Sequence, residues 1–199
     1  MDRVVQFSDG VVAIAITLLV LPLTEVHADE YDGDLAELVS DNSDRLLAFA
    51  VSFAVITVFW LAHHRVFARL KAIDSTITMI NMLWLACIVF LPFPTSLMEE
   101  ASSPTFVSFY IACLLVTALV LKWLSLVIER RPELLSGPPS ATTREGSVRG
   151  WLIVAGFTLA FLMSFMSPDL GLYSLLVLIL VDPIAHALTR NTASEQTAE

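Results

Sequence analysis

The chain has 199 residues, of which 56% are hydrophobic and only 16% are charged, and its mean hydropathy is +0.76. A soluble domain averages about 45–50% apolar residues, and a chain this short cannot bury so much apolar surface in one aqueous core. Composition therefore excludes a water-soluble globular protein and favours one embedded in a lipid bilayer. The net charge is −9, and the acidic residues are concentrated in one segment, because eight of the twenty lie between Glu25 and Asp44. No basic patch suited to nucleic acid is present, so no nucleic-acid partner is expected.

Six apolar segments are long enough to cross a bilayer, whose hydrocarbon core of about 30 Å requires about 20 residues of helix. They predict an all-α, polytopic membrane protein with a single six-helix transmembrane domain over residues 1–190. The composition of residues 132–147 predicts a flexible linker, and that of 191–199 a disordered tail. The six segments, in chain order, are 4–24, 46–67, 77–98, 105–128, 148–166 and 170–188.

The basic residues that flank these segments predict their orientation. Cytoplasmic connections of membrane proteins carry an excess of Lys and Arg. This rule places both termini, the linker and the tail in the cytoplasm, and the acidic loop 25–44 outside, as expected for a multi-pass protein of the cell (plasma) membrane. All flanking basic residues except Arg45 fall on the cytoplasmic side: Arg3, Arg65, Arg69, Lys71, Arg130, Arg131, Arg144, Arg149 and Arg190.

Two features interrupt the apolar segments. Pro92 and Pro94 are predicted to bend or end the third helix. Lys122 and Asp182 lie within about two helical turns of a cytoplasmic end, so their side chains are expected to snorkel to water.

The first segment separates an apolar stripe from an acidic residue. On a helix with about 100° per residue, Thr17, Leu18 and Leu21 fall within about 60° of Ile14. Asp9 lies about 140° from Ile14, on nearly the opposite face. The stripe is apolar with one hydroxyl, whereas a carboxylate buried among helices needs a hydrogen-bonding partner.

Candidate partners for Asp9 lie near the end of the second segment. Trp60, His63 and His64 can each donate a hydrogen bond to a carboxylate, which predicts a structural network between the first two helices. The adjacent histidines point about 100° apart on a helix, so no metal site is expected. The sequence shows no combination of a nucleophile, a base and an orienting group that would form a catalytic site, so the chain is not expected to be an enzyme.

The start of the chain resembles a known family. Arg3, Phe7, Ser8 and Asp9, followed by an apolar run, are similar to the Arg-x-x-x-Phe-Ser-Asp signature of the transmembrane protein 175 family. Its lysosomal and bacterial members are potassium channels that lack the usual potassium-channel filter. The resemblance covers about residues 3–98, and further matches are Trp60, His63, Asn81 and the run Leu91-Pro92-Phe93-Pro94-Thr95.

This resemblance implies a homotetramer of six-helix subunits in the bilayer, with the first helix of each subunit lining the pore. The narrowest ring would be Ile14, the further rings Leu18 and Leu21, and the nearby hydroxyl layer Thr17. The structural network would comprise Arg3, Phe7, Ser8, Asp9, Trp60, His63 and His64.

The expected function is a potassium-preferring cation channel, with potassium as the permeant ion and no cofactor. The chain has no TVGYG filter segment, and a hydrophobic ring can gate by dewetting, so the aliphatic constriction would act as both gate and filter. The preference for potassium comes from the resemblance alone. Two alternatives stay open: a proton-permeable channel or proton-coupled transporter that uses Asp9 and the histidines, and a membrane scaffold without transport.

Overall fold

The computed structural model describes residues 2–27, 31–100, 104–136 and 141–167, which are almost entirely helical. Within these ranges, five stretches are long and apolar enough to cross a membrane: Arg3–Thr24, Ser43–Phe67, Ser75–Leu97, Thr105–Glu129 and Gly146–Ser164. The predicted sixth segment 170–188, the tail 191–199 and Asp182 lie outside the described residues. The helices are α1 (Asp2–Leu18), α2 (Leu21–Thr24), α3 (Leu35–Asp41), α4 (Ser43–Phe67), α5 (Ser75–Phe90), α6 (Pro92–Glu100), α7 (Pro104–Glu129) and α8 (Ala141–Ser164).

Prolines divide two of the predicted spans. The first span consists of α1 and α2, with Pro22 in the first turn of α2. The third consists of α5, which ends at Phe90, and α6, which begins at Pro92. Proline lacks a backbone N–H and its ring clashes with the preceding helical turn, but it is tolerated in the first turn of a new helix. The predicted interruption of the third helix is therefore confirmed.

The acidic loop 25–44 contains a short helix that hydropathy did not predict. The Asp34 carboxylate accepts hydrogen bonds from the backbone N–H groups of Ala36 (2.9 Å) and Glu37 (3.2 Å), which is the usual N-cap interaction. Just before this cap, Gly33 has a φ of 86°, a left-handed conformation that favours glycine. A turn and a cap thus start α3.

The core lies where the long helices meet. Helix α7 packs against α5, α6 and α8, and α1 packs against α4 and α5. The largest side chains with no more than 1% exposure are aromatic and fill the spaces between these helices: Trp84, Tyr110, Phe59, Phe67 and Phe157. The packing holds one face of α1 against the rest of the chain.

The segment predicted as a linker, 132–147, carries structure at both of its ends. Pro132–Leu134 form a 3-10 turn, and α8 already begins at Ala141. The backbone N–H of Lys71 donates to the Leu134 carbonyl and that of Ser136 to the Arg69 carbonyl, each at 2.9 Å. These bonds join the α4–α5 connection to the chain that follows α7.

The prediction that Lys122 snorkels to water is wrong. Its side chain is only 4% exposed, and its Nζ donates to the Ser147 hydroxyl (3.0 Å) and the Ser147 carbonyl (3.3 Å). Helix α8 covers it at Gly150, where an added Cβ would lie 3.1 Å from Lys122 Cδ. Because α7 and α8 approach each other closely, the ammonium group of Lys122 lies between these two helices.

Candidate functional site

Helix α1 has one exposed and one buried face. Ile14, Leu18 and Leu21 are 61%, 37% and 53% exposed, and Thr17 is exposed beside them. The opposite face is buried by α4 and α5, at no more than 2% exposure, through Ser8, Val12, Ala15 and Leu19. The four residues predicted as one stripe thus share the side of the first span, α1 and α2, that the rest of the chain leaves uncovered.

The exposed side of the first span, α1 and α2, carries polar as well as aliphatic residues. Besides the aliphatic side chains it presents Gln6, Gly10 and Thr24. The Thr17 hydroxyl donates to the Ile14 carbonyl at 2.7 Å, which leaves its oxygen lone pairs available as acceptors. By contrast, α5 exposes through the middle and end of its length only apolar side chains: Met79, Leu83, Ala86, Val89 and Phe90.

A chain of buried hydrogen bonds holds the other face of α1. Asn81 Nδ2 donates to Ser8 Oγ at 2.9 Å, and Ser8 Oγ donates to the Val4 carbonyl at 2.8 Å. His63 Nε2 lies 2.8 Å from Asn81 Oδ1, and Ser8, His63 and Asn81 are all 0% exposed. Since the Asn81 amide nitrogen faces Ser8, its carbonyl faces His63, and His63 Nε2 must carry the proton.

The imidazole of His63 is fixed in this tautomer by its surroundings. Its ring stacks on Trp84, with centroids 4.3 Å apart and planes 9° apart, and on Phe67 at 4.4 Å. Among the described residues its Nδ1 is buried without a hydrogen-bonding partner. A second proton on Nδ1 would be a buried donor without an acceptor there, which is costly, so the neutral ring fits this site.

Asp9 is held separately, by α4. Trp60 Nε1 donates to Asp9 Oδ1 at 2.9 Å, which brings together two of the residues predicted as a network. Of the other candidate donors, His63 is turned to Asn81, and His64 is exposed with its ring 6.0 Å from that of Trp60.

The remaining motif residues lie apart from these contacts. Phe7 is 56% exposed and Arg3 is also exposed. Within the described residues, no hydrogen bond or ion pair joins Arg3 to Asp9. The functional roles of the motif residues and of the stripe stay predictions.

Sequence reasoning missed two polar contributions. Asn81 was singled out only as a family match, yet it connects Ser8 to His63. A second cluster joins α4, α6 and α7: Ser52 Oγ lies 2.9 Å from the Tyr110 hydroxyl and 3.1 Å from Thr95 Oγ1. The available signal was a polar residue inside an apolar segment, because such groups are buried with partners.

Comparison with known proteins agrees with this architecture. The family model described as "Endosomal/lysosomal potassium channel TMEM175" matches residues 3–92. A potassium channel of Streptomyces collinus is 32% identical over 179 residues, which are 85% of each chain. The crystal structure of a lysosomal potassium-selective channel TMEM175 homolog from Chamaesiphon minutus superimposes with a TM-score of 0.77 at 29% identity, over 92% of this chain and 97% of that one.

A vertebrate relative carries a different ion in its name. The endosomal/lysosomal proton channel TMEM175 of Gallus gallus is 27% identical over 190 residues, which cover 91% of this chain but 37% of the relative. The fold and these likenesses define a multi-pass, helical membrane protein of an ion-channel family. Within that class the chain belongs to the TMEM175 family, which confirms the resemblance noted in the sequence.

Proposed function

We propose that this protein is a potassium-preferring cation channel of the cell membrane, in which four identical subunits each contribute α1 to a central pore. Both termini would lie in the cytoplasm. The observation that carries the proposal is the exposed stripe of α1, together with the potassium-channel names of the bacterial relatives.

The anchoring of α1 supports this orientation. Ser8 and Asp9 attach the helix to α5 and α4 from one side, so the stripe on the other side must meet lipid or another subunit. Lipid cannot hydrogen-bond to polar side chains, and a purely lipid-facing stripe would have no use for Gln6 or Thr17. A fourfold assembly around a water-filled axis accounts for both polar and apolar residues on this face.

In such a pore, Ile14 would form the tightest ring. Thr17 would follow about one turn away, and Leu18 and Leu21 about 6 and 10 Å along the helix axis. A narrow aliphatic ring excludes water when closed and forces a passing ion to shed part of its hydration shell. The Thr17 oxygen would replace part of that shell. The permeant ion is potassium, and no resident cofactor takes part.

Proton permeation is the second candidate, favoured by the vertebrate relatives, which are named proton channels. The two titratable groups that the sequence offers for a proton path, Asp9 and His63, lie on the anchoring side of α1. His63 is 0% exposed, and Asp9 accepts its bond from Trp60. Neither group is on the stripe, which favours the potassium channel over a proton path that uses these residues.

Recordings from purified protein in planar bilayers, under a potassium/sodium gradient, test the proposal. Ile14→Ala should raise conductance and reduce discrimination between potassium and sodium, because a wider ring admits more hydrated ions. Leu21→Ala, beside the Pro22 break, should have a smaller effect.

Val12→Ala is the matched control, since Val12 is a 2% exposed aliphatic residue on the opposite face of α1. A large change of selectivity in Val12→Ala with none in Ile14→Ala would mean that another face lines the pore. Pure protein that conducts protons but not potassium would establish the second candidate. Pure protein that conducts neither ion would favour a membrane scaffold without transport.

A further inference from the structure

A second site lies between helices, away from the α1 stripe. A cavity of about 320 Å³ opens where α4 ends and α8 begins, bounded by these helices and α7. Among the described residues, its lining includes four cationic side chains, Arg65, Arg69, Lys122 and Arg149, and no acidic one. The Lys and Arg pattern assigns this end of the bundle to the cytoplasm.

Lys122 is the most buried of these cations. Its ammonium group lies 5.1 Å from the centroid of the Trp151 ring and donates to two oxygens of Ser147. An ammonium group has three donors. In the described part of the chain, neither Lys122 nor Arg69 forms an ion pair with a carboxylate. The nearby Glu129 does not line the cavity, and one of its oxygens accepts a bond from Ser125 at 3.1 Å.

Lys122 and Arg69 are like charges in the wall of one cavity, and a bound counter-charge would stabilise them. Like charges repel more strongly at the low effective dielectric of a helical interior than in water. An anion bound between Lys122 and Arg69 would relieve that repulsion and accept the remaining hydrogen bonds. Arg presents a planar fork that matches phosphate oxygens, and Lys adds a point charge.

The rest of the cavity wall indicates what the anion is attached to. Between the cations the lining is apolar, with small and aliphatic side chains that could accompany a hydrocarbon chain: Ala62, Val66, Ala118, Leu121 and Ile153. Gly146 and Gly150 also line it and keep α8 close. Basic pockets between transmembrane helices on the cytoplasmic side suit anionic lipid headgroups.

We propose that this cavity binds a phosphate group carrying net negative charge, supplied by an anionic phospholipid headgroup or by free phosphate. The site couples α4 to α8 through one bound anion. It uses residues distinct from the α1 stripe, so it stands whether or not the protein conducts potassium.

Thermal unfolding of the full chain in detergent tests the site, with short-chain phosphatidylglycerol, short-chain phosphatidylcholine and inorganic phosphate as separate probes. Phosphatidylglycerol should raise the midpoint saturably, because a ligand that binds only the folded state stabilises it. Phosphatidylcholine, which is zwitterionic, should not. A saturable rise with inorganic phosphate alone would identify free phosphate as the source; a rise only with phosphatidylglycerol would identify the lipid.

Lys122→Met and Arg69→Gln should each weaken phosphatidylglycerol binding by about 10- to 100-fold, the loss expected for a charge-assisted hydrogen bond. If Lys122→Met does not fold, the binding measured with Arg69→Gln still tests the site. The control is Lys71→Gln, an exposed cation at the same end that does not line the cavity, and it should bind as the unaltered chain does. Equal responses to both lipids, or equal weakening by Lys71→Gln, would overturn the proposal.

Discussion

Replacing Ser8 by alanine should destabilise the packing of α1 on α5. The hydroxyl of Ser8 is 0% exposed and is the acceptor for Asn81 Nδ2 at 2.9 Å. Without it, a buried amide N–H has no acceptor, while the Val4 carbonyl retains its place in the helix. The substitution changes one atom and leaves the apolar contacts of α1 intact.

The expected loss of unfolding free energy is about 1–2 kcal/mol. A buried donor left unsatisfied costs about 1–3 kcal/mol. Hydrogen bonds between membrane helices, however, average only about 0.6 kcal/mol and reach at most about 1.7. The higher helix propensity of alanine offsets this loss of stability by less than about 0.7 kcal/mol. Together these contributions place the stability loss of Ser8→Ala near the upper end of the range for a single hydrogen bond between membrane helices.

The assay is equilibrium unfolding in mixed micelles, with a double-mutant cycle of Ser8→Ala and Asn81→Ala. The two substitutions should couple by about 0.6–1.7 kcal/mol, so that the double variant loses less than the sum of the single losses. Thr117→Val is the control, because this 0% exposed hydroxyl donates only to the Cys113 carbonyl of its own helix. Additivity within about 0.3 kcal/mol would refute the bond as a stabilising contact.

Two further predictions concern α4 and the topology. Trp60→Phe removes the donor to Asp9 and should lower thermal stability more than Trp123→Phe, since Trp123 is 50% exposed; equal shifts in the unfolding midpoint would contradict an anchoring role for this bond. In a background without the native cysteines, Leu35→Cys should react with an impermeant reagent added outside intact cells, whereas Lys71→Cys should react only after permeabilisation. The reverse pattern would invert the proposed topology.

Part of this fold is a local property of the sequence. Apolar runs of about 20 residues predict membrane spans because bilayer thickness fixes their length, and five of the predicted spans coincide with apolar helical stretches of the described chain, two of which are divided at a proline. The interruption at Pro92 follows from covalent structure. The stripe of Ile14, Thr17 and Leu18 likewise needs only helical periodicity, and the structure leaves that stripe uncovered.

The pairing of polar groups was not predictable in the same way. Trp60, His63 and His64 were equivalent donors on one helix, and only the packing of α1, α4 and α5 against one another assigned Trp60 to Asp9 and His63 to Asn81. Periodicity gives the direction of a side chain from its own axis, but not which neighbouring helix lies there.

By itself, the sequence determined the membrane class, the helical spans, the proline break and the two faces of α1, because hydropathy, helical period and backbone chemistry act within a few turns. Only the tertiary structure decided that Asn81 joins Ser8 to His63 and that Lys122 points between α7 and α8 rather than to water. The physical reason is that a buried polar group takes whichever partner the packed helices bring within about 3 Å, and that choice depends on residues far apart in the chain.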